Sequence, residues 1–129
     1  MEIKVRISET DLLGHINHAN YFTYMEEARI EFFNKIGLEV INEGCTVILA
    51  AANCDYVRQG YFNQTLMVTT GVKRIGRTSF TLVSDIVEKE SNELIAKGEV
   101  TVVYFNVHEQ RAQELPNSYK EKLKELMVS

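Results

Sequence analysis

Proline occurs once in the 129 residues and cysteine twice. No apolar run approaches the ~20 residues that a membrane-spanning helix needs. An excess of positive charge is missing as well: 14 Lys and Arg stand against 18 Asp and Glu, a formal net charge of -4. Binding to nucleic acid rests largely on cations that neutralise phosphates, so this balance argues against a nucleic-acid partner. Cys45 and Cys54 form neither a disulfide framework nor a CxxC metal site. No set of His, Cys, Asp and Glu has metal-ligand spacing, so neither a metal nor another cofactor is expected. The opening MEIKVRISE is charged and alternating, unlike a signal peptide. Linkers, low-complexity tracts and internal repeats are absent too. What is present is 45% apolar and 25% charged residues, the balance of a globular chain that can close a core with little surplus. These readings give one domain over residues 1–129, reduced and cytoplasmic, with no membrane span.

The patterning predicts elements in the order β, α, β, β, β, β, α. Residues 2–8 alternate, with Ile3, Val5 and Ile7 on one face. Over 21–36 the residues Phe22, Met25, Ala28, Phe32 and Ile36 recur at steps of three and four, with Phe33 widening the stripe. Such a helix would be about 24 Å long, and Gly37 follows it where a C-terminal glycine belongs. Residues 46–58, 65–75, 78–88 and 94–107 read as strands rich in β-branched side chains. Gly76 sits at one turn, and Gly98 marks a bulge or a close approach. Pro116 precedes a capping-box pattern, Ser118 to Glu121, and a short helix with Tyr119, Leu123, Leu126 and Met127 on one face. Successive strands without a helical crossover imply an antiparallel sheet. The economical fold is α+β, a five-stranded antiparallel sheet wrapped around one long central helix.

Chemistry concentrates in the segment Thr10 to Tyr21, TDLLGHINHANY, just ahead of the long helix. Unpaired N–H groups at a helix start attract negative charge. A carboxylate on the same loop, Asp11, can serve as nucleophile or general base. Acyl transfer needs that pairing, one group to attack or activate water and another to hold the developing oxyanion. The same residues also suit turn duties: Asp11 can brace a turn, and Asn17 or Asn20 can cap the helix.

TDLLGHINHANYFTYMEEAR resembles the active-site loop and central helix of hotdog-fold acyl-CoA thioesterases, in particular the hydroxybenzoyl-CoA thioesterase family. The likeness is carried by Asp11, Gly14, Asn17 and Tyr21, and by Glu26, Ala28 and Arg29 of an E-x-A-R pattern. Lys73 to Phe80, KRIGRTSF, resembles that family's central hairpin, and Leu115-Pro116 before a short helix its ending. The resemblance implies the hotdog fold and hydrolysis of an acyl-CoA thioester to free CoA and a carboxylic acid. Asp11 falls on the catalytic carboxylate, and the backbone N–H near His18 on the group that polarises the thioester carbonyl. Members differ in whether the carboxylate attacks or activates water, and both mechanisms stay open. His18 is therefore carried as catalytic, while Gly14, His15, Asn17, Tyr21 and Glu26 are carried as substrate-site residues. Some relatives use a helix glutamate instead, which keeps Glu26 and Glu27 as secondary candidates. Tyr56 to Gly60, YVRQG, lacks the proline frequent in that turn.

Coenzyme A carries phosphates, so cations should meet it. Lys73, Arg74 and Arg77 around Gly76, together with Thr78 and Arg58, are the expected CoA contacts. The resemblance further implies a homodimer joined edge to edge into a ten-stranded sheet, with residues 99–107 or an equivalent edge at the seam, the thioester site at the dimer interface with the carboxylate of one subunit facing the helix start of the other, and pairing of dimers into a tetramer. Two other functions fit the same residues, an acyl-carrier-protein thioesterase and a non-catalytic acyl-CoA-binding hotdog module.

Overall fold

The computed structural model describes residues 1–39 and 41–128, the side chain of Asn42 excepted. Its elements are β1 (Glu2–Lys4), a 3-10 turn (Ile7–Glu9), α1 (His18–Ile36), β2 (Ile41–Asn42), β3 (Cys45–Tyr56), β4 (Thr65–Ile75), β5 (Ser79–Glu88), β6 (Leu94–Asn106), β7 (Arg111–Ala112) and α2 (Asn117–Lys124). The sheet runs β1-β4-β5-β6-β3-β2, with β7 on β6. The pairs β1–β4, β2–β3 and β6–β7 are antiparallel. The β4–β5 and β5–β6 connections span only 76–78 and 89–93, too short for a parallel crossover. Five strands and one long helix in this order are the predicted architecture, with β2 and β7 as two-residue additions.

Packing divides the chain into two compact units. The first comprises Met1–Glu31, Cys54–Thr70 and Ser84–Gly98. Its core sets Tyr24, Met25 and Ala28 of α1 against Ile3, Leu66, Val68 and Ile86 of the strands. The second comprises Phe32–Asn53, Gly71–Val83 and Glu99–Ser129. There Phe32 and Phe33 pack with Val72, Phe80, Leu82, Val102, Tyr119 and Leu123. The end of α1 is a Schellman cap: Leu38 N–H donates to the Phe33 carbonyl and Gly37 N–H to Asn34. Gly37 takes φ +70 there.

Several predicted boundaries move, each for a local reason. The strand over 2–8 stops at Lys4, because the Glu9 carboxylate takes the Arg6 N–H and closes the turn at Ile7–Glu9. The helix begins three residues early, at His18, because Asn17 caps it. Phe22 is exposed, and Tyr21 and Tyr24 take its place in the buried stripe. The Ser118–Glu121 capping box is not formed. Pro116 is itself the N-cap, without a side-chain hydrogen bond, and its fixed φ suits a helix entrance. Leu126 and Met127 are exposed beyond the end of α2, leaving Tyr119 and Leu123 as its buried face. Residues 99–107 are no edge, since β6 lies between β5 and β3. Among the described residues β2 lies against the outer side of β3 at Cys45 and Thr46.

Candidate functional site

Asp11 opens a tight turn. Its Oδ1 accepts from the N–H groups of Leu13 (2.9 Å) and His15 (3.2 Å). Its own N–H donates to the His15 carbonyl at 2.9 Å, and Gly14 N–H donates to the Asp11 carbonyl at 3.0 Å. Gly14 has φ +78, a conformation that favours glycine at this turn. The bracing role therefore falls on one carboxylate oxygen. Among the described residues Oδ2 has no hydrogen-bond partner, so one oxygen is oriented and the other is presented.

Asn17 supplies the cap of α1. Its side-chain oxygen accepts from Ala19 N–H at 3.1 Å, and its carbonyl accepts from Asn20 N–H at 2.9 Å. Those two amides are thereby used. Among the described residues the His18 N–H at the very start of the helix has no such partner. Its carbonyl accepts from the Tyr56 hydroxyl at 3.1 Å, and its ring meets Tyr56 edge-on at 6.3 Å.

Asp11, His15, Asn17, His18, Tyr21 and Arg58 line a single cleft of about 640 Å³, together with Ile16, Tyr56, Val57 and Gln59. Tyr21 is buried, accepts from Gly60 N–H at 3.2 Å and lies 5.2 Å from the Tyr56 ring. Burial, ahead of its neighbours' influence, pushes the Tyr21 hydroxyl above its ordinary pKa of 10, so it stays protonated. The loop that lacks a proline is fixed by other bonds: Val57 and Arg58 N–H donate to the Ile95 carbonyl, and Ile16 N–H to Gly60. The His15 ring rests edge-on against Tyr61 at 4.9 Å.

The remaining candidates lie elsewhere. Arg58 is in the cleft but pairs with Glu93 at 3.5 Å. Lys73 and Arg74 line a separate cleft of about 330 Å³ with Thr81, Glu99 and Thr101, and Lys73 is ion-paired with Glu99. Arg77 and Thr78 form the β4–β5 turn, where their carbonyls accept from Leu115 and Tyr104. Glu26 is exposed and reaches Arg29 at 3.8 Å, while Glu27 lines a different cleft beside β1. Among the described residues no group of three or more His, Cys, Asp or Glu is placed to hold a metal ion, and no helix is long and apolar enough to cross a membrane.

Reading the sequence alone missed Tyr56 as a wall of the cleft and Glu9 beneath the loop. In the sequence Tyr56 stands out only as the first residue of the YVRQG turn. Glu9 is a carboxylate that is 6% exposed. Burial alone would raise its pKa, but the Arg6 N–H and guanidinium and the Tyr24 hydroxyl outweigh that and hold it below its ordinary value. Tyr24 is pushed well above its own, first by burial and then by Glu9. Nothing in the spacing of Arg6, Glu9 and Tyr24 announces that they converge.

An antiparallel sheet in the order β1-β4-β5-β6-β3, with one long helix whose first turn meets a carboxylate-bearing loop, is the hotdog fold. Residues 5–123 match the thioesterase-like superfamily, and the chain belongs to it. It is 36% identical to the Bacillus subtilis protein YsmA over 63% of this chain and 55% of that protein. It is 30% identical to the Helicobacter pylori acyl-CoA thioesterase YbgC over 67% of this chain and 65% of that one. Both matches thus span less than two thirds of the relative's length. A solved structure of a predicted thioesterase from Bacillus stearothermophilus superposes with TM-score 0.89 at 32% identity, covering 100% of this chain and 96% of that one.

Proposed function

We propose that this protein hydrolyses an acyl-CoA thioester to CoA and a carboxylic acid, with Asp11 and the His18 amide as its working groups. The observation that carries the reading is the shared cleft. Asp11, whose Oδ2 has no hydrogen-bond partner among the described residues, and His18 at the helix start line the same cavity. The thioester carbonyl oxygen accepts from the His18 N–H, which also stabilises the negative charge that develops there. Asp11 Oδ2 then acts in one of two ways. As nucleophile it forms a C–O bond, the C–S bond breaks, CoA departs as thiolate, and water cleaves the mixed anhydride. As general base it takes a proton from the attacking water, and the same C–S bond breaks. Tyr21 and Tyr56 wall the acyl side of the cleft, and His15, Gly14 and Asn17 hold the loop in shape.

Residues 1–129 act as one hotdog domain in this reading, in the cytoplasm. CoA phosphates meet Arg58, which lines the same cleft as Asp11 and His18. Two copies pair along the free side of β3, where Ile48 and Leu49 are exposed, and dimers pair into tetramers. An acyl-carrier-protein substrate would need a basic docking face, and the Lys73–Glu99 pair weakens that alternative.

The test is thiol release by purified protein from butyryl-, octanoyl-, palmitoyl- and benzoyl-CoA. Asp11→Asn is expected to lower kcat by at least ~10²-fold while the chain stays folded. Near-wild-type kcat would refute the assignment, and binding of all four esters without thiol release would favour a binding module. Oxygen-18 from water found in the Asp11 carboxylate after a single turnover would establish the nucleophilic route, because the general-base route never bonds that carboxylate to the water oxygen.

A further inference from the structure

We propose that Glu9 is a positioning residue for this reaction, fixing the start of α1 and the Asp11 loop through both its carboxylate and its carbonyl. The inference rests on the assignment of Asp11 and the His18 amide given above. Glu9 touches neither cleft nor substrate. Its side chain is buried, and its carboxylate takes the Arg6 N–H at 2.9 Å and Arg6 Nε at 3.1 Å on one side. On the other it takes the Tyr24 hydroxyl at 2.9 Å, a contact into the second turn of α1. The Glu9 carbonyl meanwhile accepts from Asn17 N–H at 2.8 Å and Asn20 Nδ2 at 3.3 Å. One residue therefore binds the helix at three points: the cap, the first turn and the second turn. Thr10 leads directly into Asp11, and the Thr10 hydroxyl donates to the Ile7 carbonyl at 2.7 Å. The separation between the Asp11 carboxylate and the His18 amide is thus set from beneath by Glu9.

A group that sets geometry for the transition state lowers kcat when it is lost and leaves substrate binding largely intact. Glu9→Gln keeps the size of the side chain but loses the charge that holds Arg6. Tyr24→Phe removes a single hydroxyl and leaves the Arg6 pair in place, so it serves if Glu9→Gln does not fold. Both are compared with wild type and Asp11→Asn in thiol release from whichever of the four CoA esters turns over fastest, with thermal denaturation measured in parallel. Glu9→Gln is expected to lower kcat by about tenfold or more with KM within about twofold, at temperatures where the variant is fully folded. Tyr24→Phe is expected to shift kcat in the same direction by less. A loss that appears in KM, or that tracks the unfolded fraction, overturns the positioning role. Wild-type kcat in Glu9→Gln or, if that variant does not fold, in Tyr24→Phe beside an inactive Asp11→Asn also overturns it and leaves the Asp11 assignment standing. Wild-type kcat in Asp11→Asn overturns that assignment itself.

Discussion

Asp11 and Glu9 are two carboxylates two residues apart with opposite surroundings. Asp11 is exposed with one oxygen free. Glu9 is buried and surrounded by donors. The difference has a consequence for stability. A carboxyl held below its ordinary 4.5 binds a proton more readily in the unfolded chain than in the folded one. Its contribution is therefore full above pH 4.5 and is lost as pH falls through the folded-state value. Urea denaturation across pH 3 to 7 should show wild type more stable than Glu9→Gln near neutrality, with the gap narrowing below 4.5. A gap independent of pH would mean that the charge on Glu9 contributes nothing. At this scale the sequence was partly legible. Asp11, Gly14 and His18 stand out because carboxylate, glycine and helix start lie within one short loop. Glu9 does not, because its partners Arg6 and Tyr24 come from a strand end and a helix, and only folding brings them together.

The periodic elements were the most legible part, since apolar alternation and the three-four stripe directly encode which face is buried. The exception within α1 is instructive. Phe22 and Tyr21 are both aromatic, and composition gives no reason to bury the tyrosine. Its hydroxyl, however, has a buried donor waiting in Gly60, whereas Phe22 on the neighbouring face is left exposed. Gly98 was expected to mark a bulge or a close approach, and it is a close approach. A Cβ built on it would stand 1.8 Å from Met25 Sδ and 2.8 Å from its Cε. Gly98→Ala should accordingly destabilise by about 1–3 kcal/mol through overpacking. Combined with Met25→Ala, which by itself opens a cavity, the two losses should sum to less than their separate values, because each substitution relieves the other. Chemical denaturation of the four proteins of this cycle measures the coupling, and strict additivity would show that helix and strand do not meet through this pair.

For the molecule as a whole, the hydrogen-bonding capacity of the sheet edges is what remains to be satisfied. One end is β1, three residues long and flanked by the Glu2–Lys89 ion pair, a short charged edge of the kind that resists pairing. At the other end the two-residue β2 lies, among the described residues, opposite Cys45 and Thr46 of β3, which is twelve residues long. Its sequence, CTVILAAANCDY, is uncharged until Asp55 and apolar apart from Thr46 and Asn53. An edge so long and apolar, with Ile48 and Leu49 exposed, is a liability in a lone chain and an asset in a pair. Strand order could not be derived from periodicity, because residues 94–107 and 46–58 both read as long strands and nothing local says which lies outermost. Topology decides for β3, and the inferred dimer seam moves there from β6. A lysine in that edge should block it. If the proposed dimer forms along β3, wild type is expected to sediment as a dimer or larger in analytical ultracentrifugation and Leu49→Lys as a single chain. Thiol release should fall with the dimer although Asp11 is untouched, if the site is completed by the second copy. A Leu49→Lys protein that remains dimeric would refute β3 as the seam. One that is monomeric yet turns over at the wild-type rate would instead show that the cleft formed by Asp11 and His18 of one chain is sufficient for catalysis.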